Sequence, residues 1–200
     1  RDEETGDELS IENHNIMSPK DLCTIRFIPE LIKAGISVFK IEGRGRSVDY
    51  VFSVVDTYKQ AIDLSLKNKL TTHELKKLEK QLEEVFNRGF WHGGYYLGNK
   101  LGEWSDVYGS KSTIQKHFIG IINHFFSKKK VAEIEMQKEK LNLGDDIIIT
   151  GDTTGLLKTK VESLYADEKP SKTAKKGQLI TITVPEKVRK NDKVYVLRKR

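Results

Sequence analysis

The chain has 200 residues, of which 37% are hydrophobic and 32% charged, a composition that supports a folded core and argues against disorder throughout. Its 35 Lys and Arg residues exceed its 29 Asp and Glu residues, and the resulting charge of +6 favours a polyanionic partner. No apolar run approaches the roughly 20 residues of a membrane-spanning helix, and one cysteine cannot form an internal disulfide, so we expect a soluble cytoplasmic protein with no membrane contact.

The first forty residues predict a helix followed by a strand. Ser18 supplies a hydroxyl N-cap, Pro19 suits the first helical position and Asp21 places a carboxylate in the first turn. The helix is expected to begin at Pro19 and to end at Gly35, with a kink or break at Pro29. Residues 37–41, which are rich in β-branched and aromatic side chains, predict a short strand.

Two further helices are expected before residue 90. One begins near Ser47. The other begins at Thr71, where Glu74 completes a capping box, and ends at Gly89. The first of these two carries an apolar stripe that we expect to be buried: Val48, Val51, Phe52, Val55, Tyr58, Ile62 and Leu66.

The composition changes at residue 90. Residues 90–112 interleave glycines with aromatic residues, which predicts a packed loop. Short strands separated by glycine turns follow, as is typical of a small antiparallel β-barrel, with a polar insert at 167–176. We therefore expect two domains, 1–112 and 113–200. The predicted strands cover residues 116–126, 131–136, 146–150, 156–164, 178–184 and 193–197.

Cys23 is the first candidate functional residue. A thiolate near a helix N-terminus is favoured by the helix dipole, but a lone cysteine on a partly apolar face is more often a small buried hydrophobe. No second cysteine is present and no histidine stands at a zinc-finger spacing. The local pattern therefore favours a structural role.

The stretch "FKIEGRGRS", residues 39–47, is the second candidate. Polar groups at the carboxyl end of a strand are where α/β folds build sites, and glycines let a ligand approach the backbone. Lys40, Glu42 and Arg44 could therefore line a substrate cavity, although a solvated turn with internal charge pairs is an equal alternative. No phosphate-loop motif is present.

Two basic or aromatic stretches could contact nucleic acid. The stretch "NRGFWHGGYYLGNKLGEW" contains the aromatic and basic residues that a base-stacking platform needs. Such residues more commonly form a rigid packing loop. Lys128, Lys129 and Lys130, together with the tail from Arg198 to Arg200, could contact phosphates or simply be solvated. No pair of nucleophile and base can be recognised in the sequence.

Several motifs, in order along the chain, resemble peptidase family U32, the collagenase-like proteases. They are "MSPKDLC", "IPELIKAGISVFKIEGRGRS", "DTYKQAID", "VFNRGFWHGGYYLG" and "KLGEWSDVYGS". The resemblance implies that the first 70 residues form the last segment of a TIM-like barrel, with "SVFKIEGR" as a closing strand. It also implies that residues 116–200 form a β-barrel similar to the second domain of translation elongation factors, which would suit binding of RNA or the ribosome.

The resemblance also implies a cofactor. In related proteins the family's cysteines bind an iron–sulfur cluster that serves oxygen-independent hydroxylation, and Cys23 matches the final ligand in the "SPKDLC" motif. This implication reverses the local interpretation of Cys23. The other ligands would lie on an upstream half of the same protein, because the start at Arg1 has no initiator methionine and the chain reads as part of a longer one. A zinc site shared through Cys23 with a second copy of the chain is the alternative.

Three functions follow as hypotheses. The first is an iron–sulfur enzyme that hydroxylates tRNA or rRNA, with the β-barrel docking the RNA. The second is a collagenase-like peptidase, and the third is a non-catalytic module that binds RNA or protein.

Overall fold

The structure is a computed structural model that describes residues 3, 4, 6, 18–92 and 103–200. Contacts between Cα atoms divide the chain into two compact units. The first unit consists of residues 1–46 and 53–113, and the second consists of residues 47–52 and 114–200.

The first unit combines short helices with a two-stranded parallel sheet. The strands are β1 (Asp21–Leu22) and β2 (Phe90–Trp91), and a 3₁₀ turn covers Ile25–Phe27. The helices are α1 (Ile28–Lys33), α2 (Val48–Leu66) and α3 (Thr72–Glu83), and the residues of α2 up to Phe52 are grouped with the second unit.

The predicted start of a helix at Pro19 is wrong. Pro19 forms an isolated bridge with Trp104, and the next residues enter β1. The backbone N–H of Lys20 donates to the carbonyl of Glu103 at 2.9 Å, and that of Asp21 donates to Gly89 at 2.9 Å. These backbone groups are paired with partners distant in sequence, which keeps the segment extended in place of the predicted helix.

The helix that does form in this region is short and begins where a break was predicted. Pro29 lies in the first turn of α1, where its missing N–H costs nothing. Gly35 follows the helix with φ of 85°, a left-handed conformation that suits glycine, so the predicted end is confirmed.

The predicted strand over residues 37–41 is also wrong. These residues have no regular secondary structure, and Val38 is 81% exposed. A strand needs a neighbouring backbone to take its hydrogen bonds, and the described residues provide none for this segment. The segment of a TIM-like barrel that this strand would have closed is accordingly not observed.

Helix α2 is confirmed, but its buried face is not the predicted one. Val54, Thr57 and Ala61, spaced three and four residues apart, are the buried residues. Most of the predicted stripe is instead exposed within the described structure: Val48, Val51, Phe52, Val55 and Leu66. The prediction followed the more strongly apolar face. Of that face, Tyr58 contacts Cys23, while the five residues just named stay exposed in the described structure.

The start of helix α3 agrees with its prediction, but the helix ends at Glu83, six residues before the predicted end at Gly89. The Thr71 side chain accepts a hydrogen bond from the backbone N–H of Glu74 at 3.2 Å and so caps the helix N-terminus. Leu78 and Leu82 are the buried residues of its apolar stripe.

The second unit is built on antiparallel strands. The longer ones are β3 (Ile114–Phe126), β4 (Val131–Met136), β6 (Asp146–Gly151), β7 (Gly155–Lys160), β11 (Leu179–Thr183) and β12 (Lys193–Lys199). The shorter ones are β5 (Leu141–Asn142), β8 (Tyr165–Ala166), β9 (Lys169–Pro170) and β10 (Thr173–Ala174). The six long strands correspond to the six predicted ones, and the predicted polar insert contains β9 and β10.

Eight of these strands form one antiparallel sheet in the order β7-β6-β12-β3-β4-β11-β8-β9. A separate two-stranded sheet pairs β10 with β5. The sheet core is aliphatic because residues alternate between faces along each strand, and the inward-facing residues are Ile, Val, Leu, Ala and Met. Gly120 in β3 fits a close approach of β4, since a Cβ there would lie 2.0 Å from the carbonyl oxygen of Glu135.

Candidate nucleic-acid interface and the surroundings of Cys23

Pairing of β1 with β2 fixes the backbone around Cys23. The N–H of Cys23 donates to the carbonyl of Trp91 at 2.8 Å. On the other side, the imidazole Nδ1 of His92 lies 3.0 Å from the carbonyl oxygen of Cys23. Residues almost 70 positions away in the sequence thus hold this short segment in place.

The Cys23 thiol lies inside the fold, with a relative exposure of 2%. The hydroxyl of Tyr58 donates to Sγ of Cys23 at 4.0 Å, and the same oxygen accepts the backbone N–H of Thr24 at 3.0 Å. Burial raises the pKa of Cys23, and the hydrogen bonds from the backbone of Ile25 and from Tyr58 only partly oppose this. Burial and the neighbouring Cys23 also raise the pKa of Tyr58 to about 12. Both groups are therefore neutral at pH 7.

The surroundings of Cys23 do not make a metal site on their own. The described residues contain no group of three or more His, Cys, Asp or Glu side chains that could hold a metal ion. A ligating cysteine is a thiolate, whereas burial here favours the protonated thiol. An iron–sulfur cluster or zinc ion does not fit these residues alone, and the role of Cys23 as one ligand among several stays a prediction.

The predicted cavity residues lie on the surface of the first unit. Lys40, Glu42 and Arg44 are all exposed, and the backbone N–H of Arg44 donates to the Glu42 carboxylate at 2.9 Å. This contact is a local turn hydrogen bond, and no ion pair joins these three side chains within the described residues. No described feature places the three side chains around a cavity, so that role stays a prediction.

Arg46, which follows this stretch, makes the more extensive contacts. Its guanidinium lies 4.0 Å from the centre of the Phe86 ring and donates to the Asp21 carboxylate at 3.3 Å. Asp21 also accepts the backbone N–H of Arg88 at 2.8 Å. Asp21 therefore ties three segments together beside Cys23, a role that its sequence context as a first-turn carboxylate did not indicate.

The glycine and aromatic loop is described in part. Residues 93–102 lie outside the described residues, so the predicted stacking platform there stays a prediction. Trp104, beyond that gap, has a buried indole N–H without a hydrogen-bond partner in the described structure.

The basic turn of the second unit joins β3 to β4. The turn is closed by backbone hydrogen bonds from Lys129 to Phe126 at 3.2 Å and from Lys130 to Ser127 at 3.4 Å. Lys128, Lys129 and Lys130 are exposed, and none of their ammonium groups forms an ion pair with a described carboxylate. Three positive charges thus extend from one turn into solvent.

A groove of about 840 Å³ lies beside this turn. Its walls come from the end of β3, the turn itself, β4, β11 and the residues around β8. Aromatic and hydroxyl-bearing side chains dominate the lining, which includes Lys128 and Lys129 and contains no carboxylate. A groove with this lining attracts an anionic ligand that also has flat apolar surfaces.

The basic tail behaves differently from the turn. Arg198 makes a two-pronged ion pair with Asp145, at 2.6 Å from Nη1 to Oδ1 and 2.8 Å from Nη2 to Oδ2. This ion pair engages the Arg198 guanidinium inside the second unit, and the role of the basic tail as a phosphate contact stays a prediction.

Comparison with known proteins identifies the family. The model of peptidase family U32 matches residues 1–106, just over half of the chain. The chain belongs to this family. The U32 resemblance expected from its motifs is therefore confirmed.

The relatives carry two kinds of name. A protein named "Collagenase" from Porphyromonas gingivalis is 48% identical over the whole chain, which covers 48% of that protein. An "Uncharacterized protease" from Methanocaldococcus jannaschii is 37% identical over 96% of the chain, which covers 47% of that protein. "tRNA hydroxylation protein P1" from Bacillus subtilis is 27% identical over 76% of the chain and 36% of its own length. The chain spans about half the length of the first two of these relatives.

Among solved structures, the C-terminal domain of a Geobacillus thermoleovorans putative U32 peptidase matches 42% of the chain and 91% of its own length. The identity is 14% and the TM-score is 0.36. Among the described residues, no helix is both long enough and apolar enough to cross a membrane.

Proposed function

We propose that this chain is the C-terminal portion of a U32 enzyme that hydroxylates RNA, and that its antiparallel β-barrel domain docks the RNA. The observation that carries the proposal is the exposed turn Lys128–Lys130 beside a groove without carboxylates. Three adjacent ammonium groups that pair with no carboxylate among the described residues favour a polyanion, because each phosphate that they neutralise releases counterions. The likeness to a protein named for tRNA hydroxylation supports RNA as the polyanion.

Catalysis would belong to the complete protein. The resemblance implies an iron–sulfur cluster for oxygen-independent hydroxylation, and Cys23 is the one thiol that this chain offers. Anaerobic reconstitution of the full-length protein with iron and sulfide tests this ligand role. We expect Cys23→Ala to lower the bound iron and the visible absorption, and unchanged values in a folded variant would contradict the role.

The RNA-docking role is tested by the salt dependence of binding. Fluorescence anisotropy of a labelled tRNA with the 200-residue chain, between 50 and 200 mM salt, gives the slope of log affinity against log salt. Replacing Lys128, Lys129 and Lys130 with Gln is expected to flatten that slope by about 2, because a single strand contributes roughly 0.7 for each phosphate contact. The matched control replaces three other exposed lysines of the same domain, Lys176, Lys187 and Lys190. Absence of binding, or binding insensitive to salt, would overturn the proposal.

A collagenase-like peptidase is the second candidate, favoured by the 48% identity to a protein named "Collagenase". The measurement is incubation of the full-length protein with denatured collagen. Specific cleavage, lost together with the fold in a denatured control, would favour the peptidase. Intact collagen alongside measurable RNA hydroxylation would favour the first proposal.

A further inference from the structure

We propose that the groove beside the β3–β4 turn binds unpaired nucleotides of single-stranded RNA by stacking their bases on Phe126 and Tyr165. This inference rests on the proposed function and specifies its ligand. It concerns the outer face of the sheet, where the alternation of side chains leaves aromatic and hydroxyl groups facing away from the aliphatic core.

The strand register brings the two aromatic residues to the same groove. Phe126 of β3 is paired with Val131 of β4, which in turn is paired with Thr183 of β11. Two residues along β11, Thr181 is paired with Tyr165 of β8. The path from β3 to β8 crosses three strand spacings, roughly 14 Å at about 4.8 Å each. A sheet face of this width can stack two or three bases.

Both aromatic side chains are available to a ligand. Phe126 is 42% exposed and Tyr165 is 45% exposed. Both are large aromatic residues, whose rings would more commonly be buried. The His124 ring contacts Phe126 edge to face, with 4.5 Å between centroids and 66° between planes. This contact supports the Phe126 ring from one side and restricts its orientation, so less entropy is lost when a base stacks on it.

The polar groups of the groove suit the sugar and phosphate parts of a nucleotide. Ser163 Oγ lies 3.0 Å from Thr183 Oγ1 and accepts the backbone N–H of Thr183 at 3.1 Å, which fixes two hydroxyls in the groove. Lys128 and Lys129 line the end formed by the turn. Glu133 is paired with His124 and Thr181 across the same sheet face, and its carboxylate is bonded by Asn123. Phosphates should therefore follow the side of the turn, away from Glu133.

A single strand fits this arrangement better than a duplex does. In A-form RNA the base faces are stacked on one another, and the protein reaches mainly phosphates and 2′-hydroxyls. Exposed aromatic rings flanking a basic turn offer stacking surfaces that only unpaired bases can use. A duplex would contact the lysines without using Phe126 or Tyr165.

The test compares a labelled ten-nucleotide single strand with the duplex of the same sequence, using the 200-residue chain. We expect Phe126→Ala and Tyr165→Ala each to weaken single-strand binding by between about fivefold and a hundredfold, with the salt slope unchanged. Tyr108→Ala is the control, because Tyr108 is 98% exposed and belongs to the first unit. Phe126→Leu keeps an apolar side chain without an aromatic face and should bind nearly as weakly as Phe126→Ala.

The outcomes separate this inference from the proposed function. If the unmodified chain binds no RNA, the proposed function fails and this inference fails with it. If salt-dependent RNA binding persists but the Phe126 and Tyr165 variants bind normally, or the duplex binds equally well, only this inference is overturned. If the two variants lose binding of a denatured collagen peptide and keep that of RNA, the groove is a peptide site and the inference is again overturned.

Discussion

The hydroxyl of Tyr58 lies 4.0 Å from Sγ of Cys23 and donates a hydrogen bond to it. Cys23 itself is only 2% exposed. The same hydroxyl accepts the N–H of Thr24 and so connects helix α2 to the segment that follows β1. Within the described residues, the thiol of Cys23 is therefore a buried, hydrogen-bonded group, and any role as a ligand requires the thiolate to form in this environment.

We expect Cys23 to react slowly with a thiol reagent in the folded chain and rapidly in denaturant, because burial raises its pKa and blocks access. Tyr58→Phe removes the hydrogen bond that favours the thiolate, so the pKa of Cys23 should rise further and labelling at alkaline pH should slow. The measurement is the rate at which a thiol reagent releases its chromophore on reacting with Cys23, recorded as a function of pH. Immediate stoichiometric labelling at neutral pH without denaturant would contradict the buried thiol.

The Asp145–Arg198 pair predicts an acid dependence of stability. Burial alone would raise the pKa of Asp145, but the Arg198 guanidinium and the Asn142 backbone N–H together lower it. The folded chain thus holds this proton less tightly than the unfolded chain. The stabilisation is present above the ordinary value of 3.8 and is lost as pH falls through the lowered pKa.

Asp145→Asn should therefore lower the free energy of unfolding by about 1.5–3 kcal/mol at neutral pH, and by less at pH 3. Urea unfolding at the two pH values measures both quantities. The control is Asp152→Asn, which changes an exposed carboxylate in the turn at the opposite end of β6. Equal losses at both pH values would show that the ion pair is not the source of the effect.

The cap of helix α3 predicts a difference between two adjacent threonines. Thr71→Ala removes the oxygen that accepts the Glu74 N–H and should cost about 1 kcal/mol. Thr72→Ala changes an exposed residue within the helix and should be nearly neutral. Thermal unfolding of the two variants measures the difference, and similar shifts in Tm would argue that the Thr71 hydroxyl does not cap the helix.

These elements also show what the sequence alone can indicate. The strand Val131–Met136 and the cap at Thr71 depend on local patterns, a period of two and a hydroxyl three residues before a glutamate, and both were predicted with the observed positions. Local patterns succeed in these two cases for different reasons. The partner of Thr71 is close in sequence, and the strand shows the alternation of buried and exposed side chains that its neighbouring strands share.

The segment from Pro19 to Leu22 shows where local patterns fail. Ser18, Pro19 and Asp21 have the residue types of a helix start. The backbone groups of Ser18, Lys20 and Asp21 nevertheless bond to Ser105, Glu103 and Gly89, respectively. The Lys20 ammonium likewise reaches the Glu103 carboxylate at 2.7 Å, across 83 positions in sequence. Such contacts outweigh helix propensity, and one sequence gives no signal of them.

Only part of the groove was predictable, because contacts between residues distant in sequence form the rest of it. The lysine run at 128–130 is visible in the sequence and indicated a nucleic-acid contact, whereas Phe126 was not predicted as a site residue. Tyr165 was not predicted as a site residue, because only the register of β11 with β8 brings it to the groove. Ser163 and Thr183 likewise meet across 20 positions.

Photocrosslinking tests the central claim most directly. A photoreactive single-stranded RNA would be crosslinked to the 200-residue chain by ultraviolet light, and the modified peptides would be identified by mass spectrometry. The account predicts crosslinks at Phe126 and Tyr165, competed away by unlabelled single strand and not by duplex. Crosslinks confined to residues 18–92, or no crosslinks at RNA concentrations that saturate binding, would contradict it.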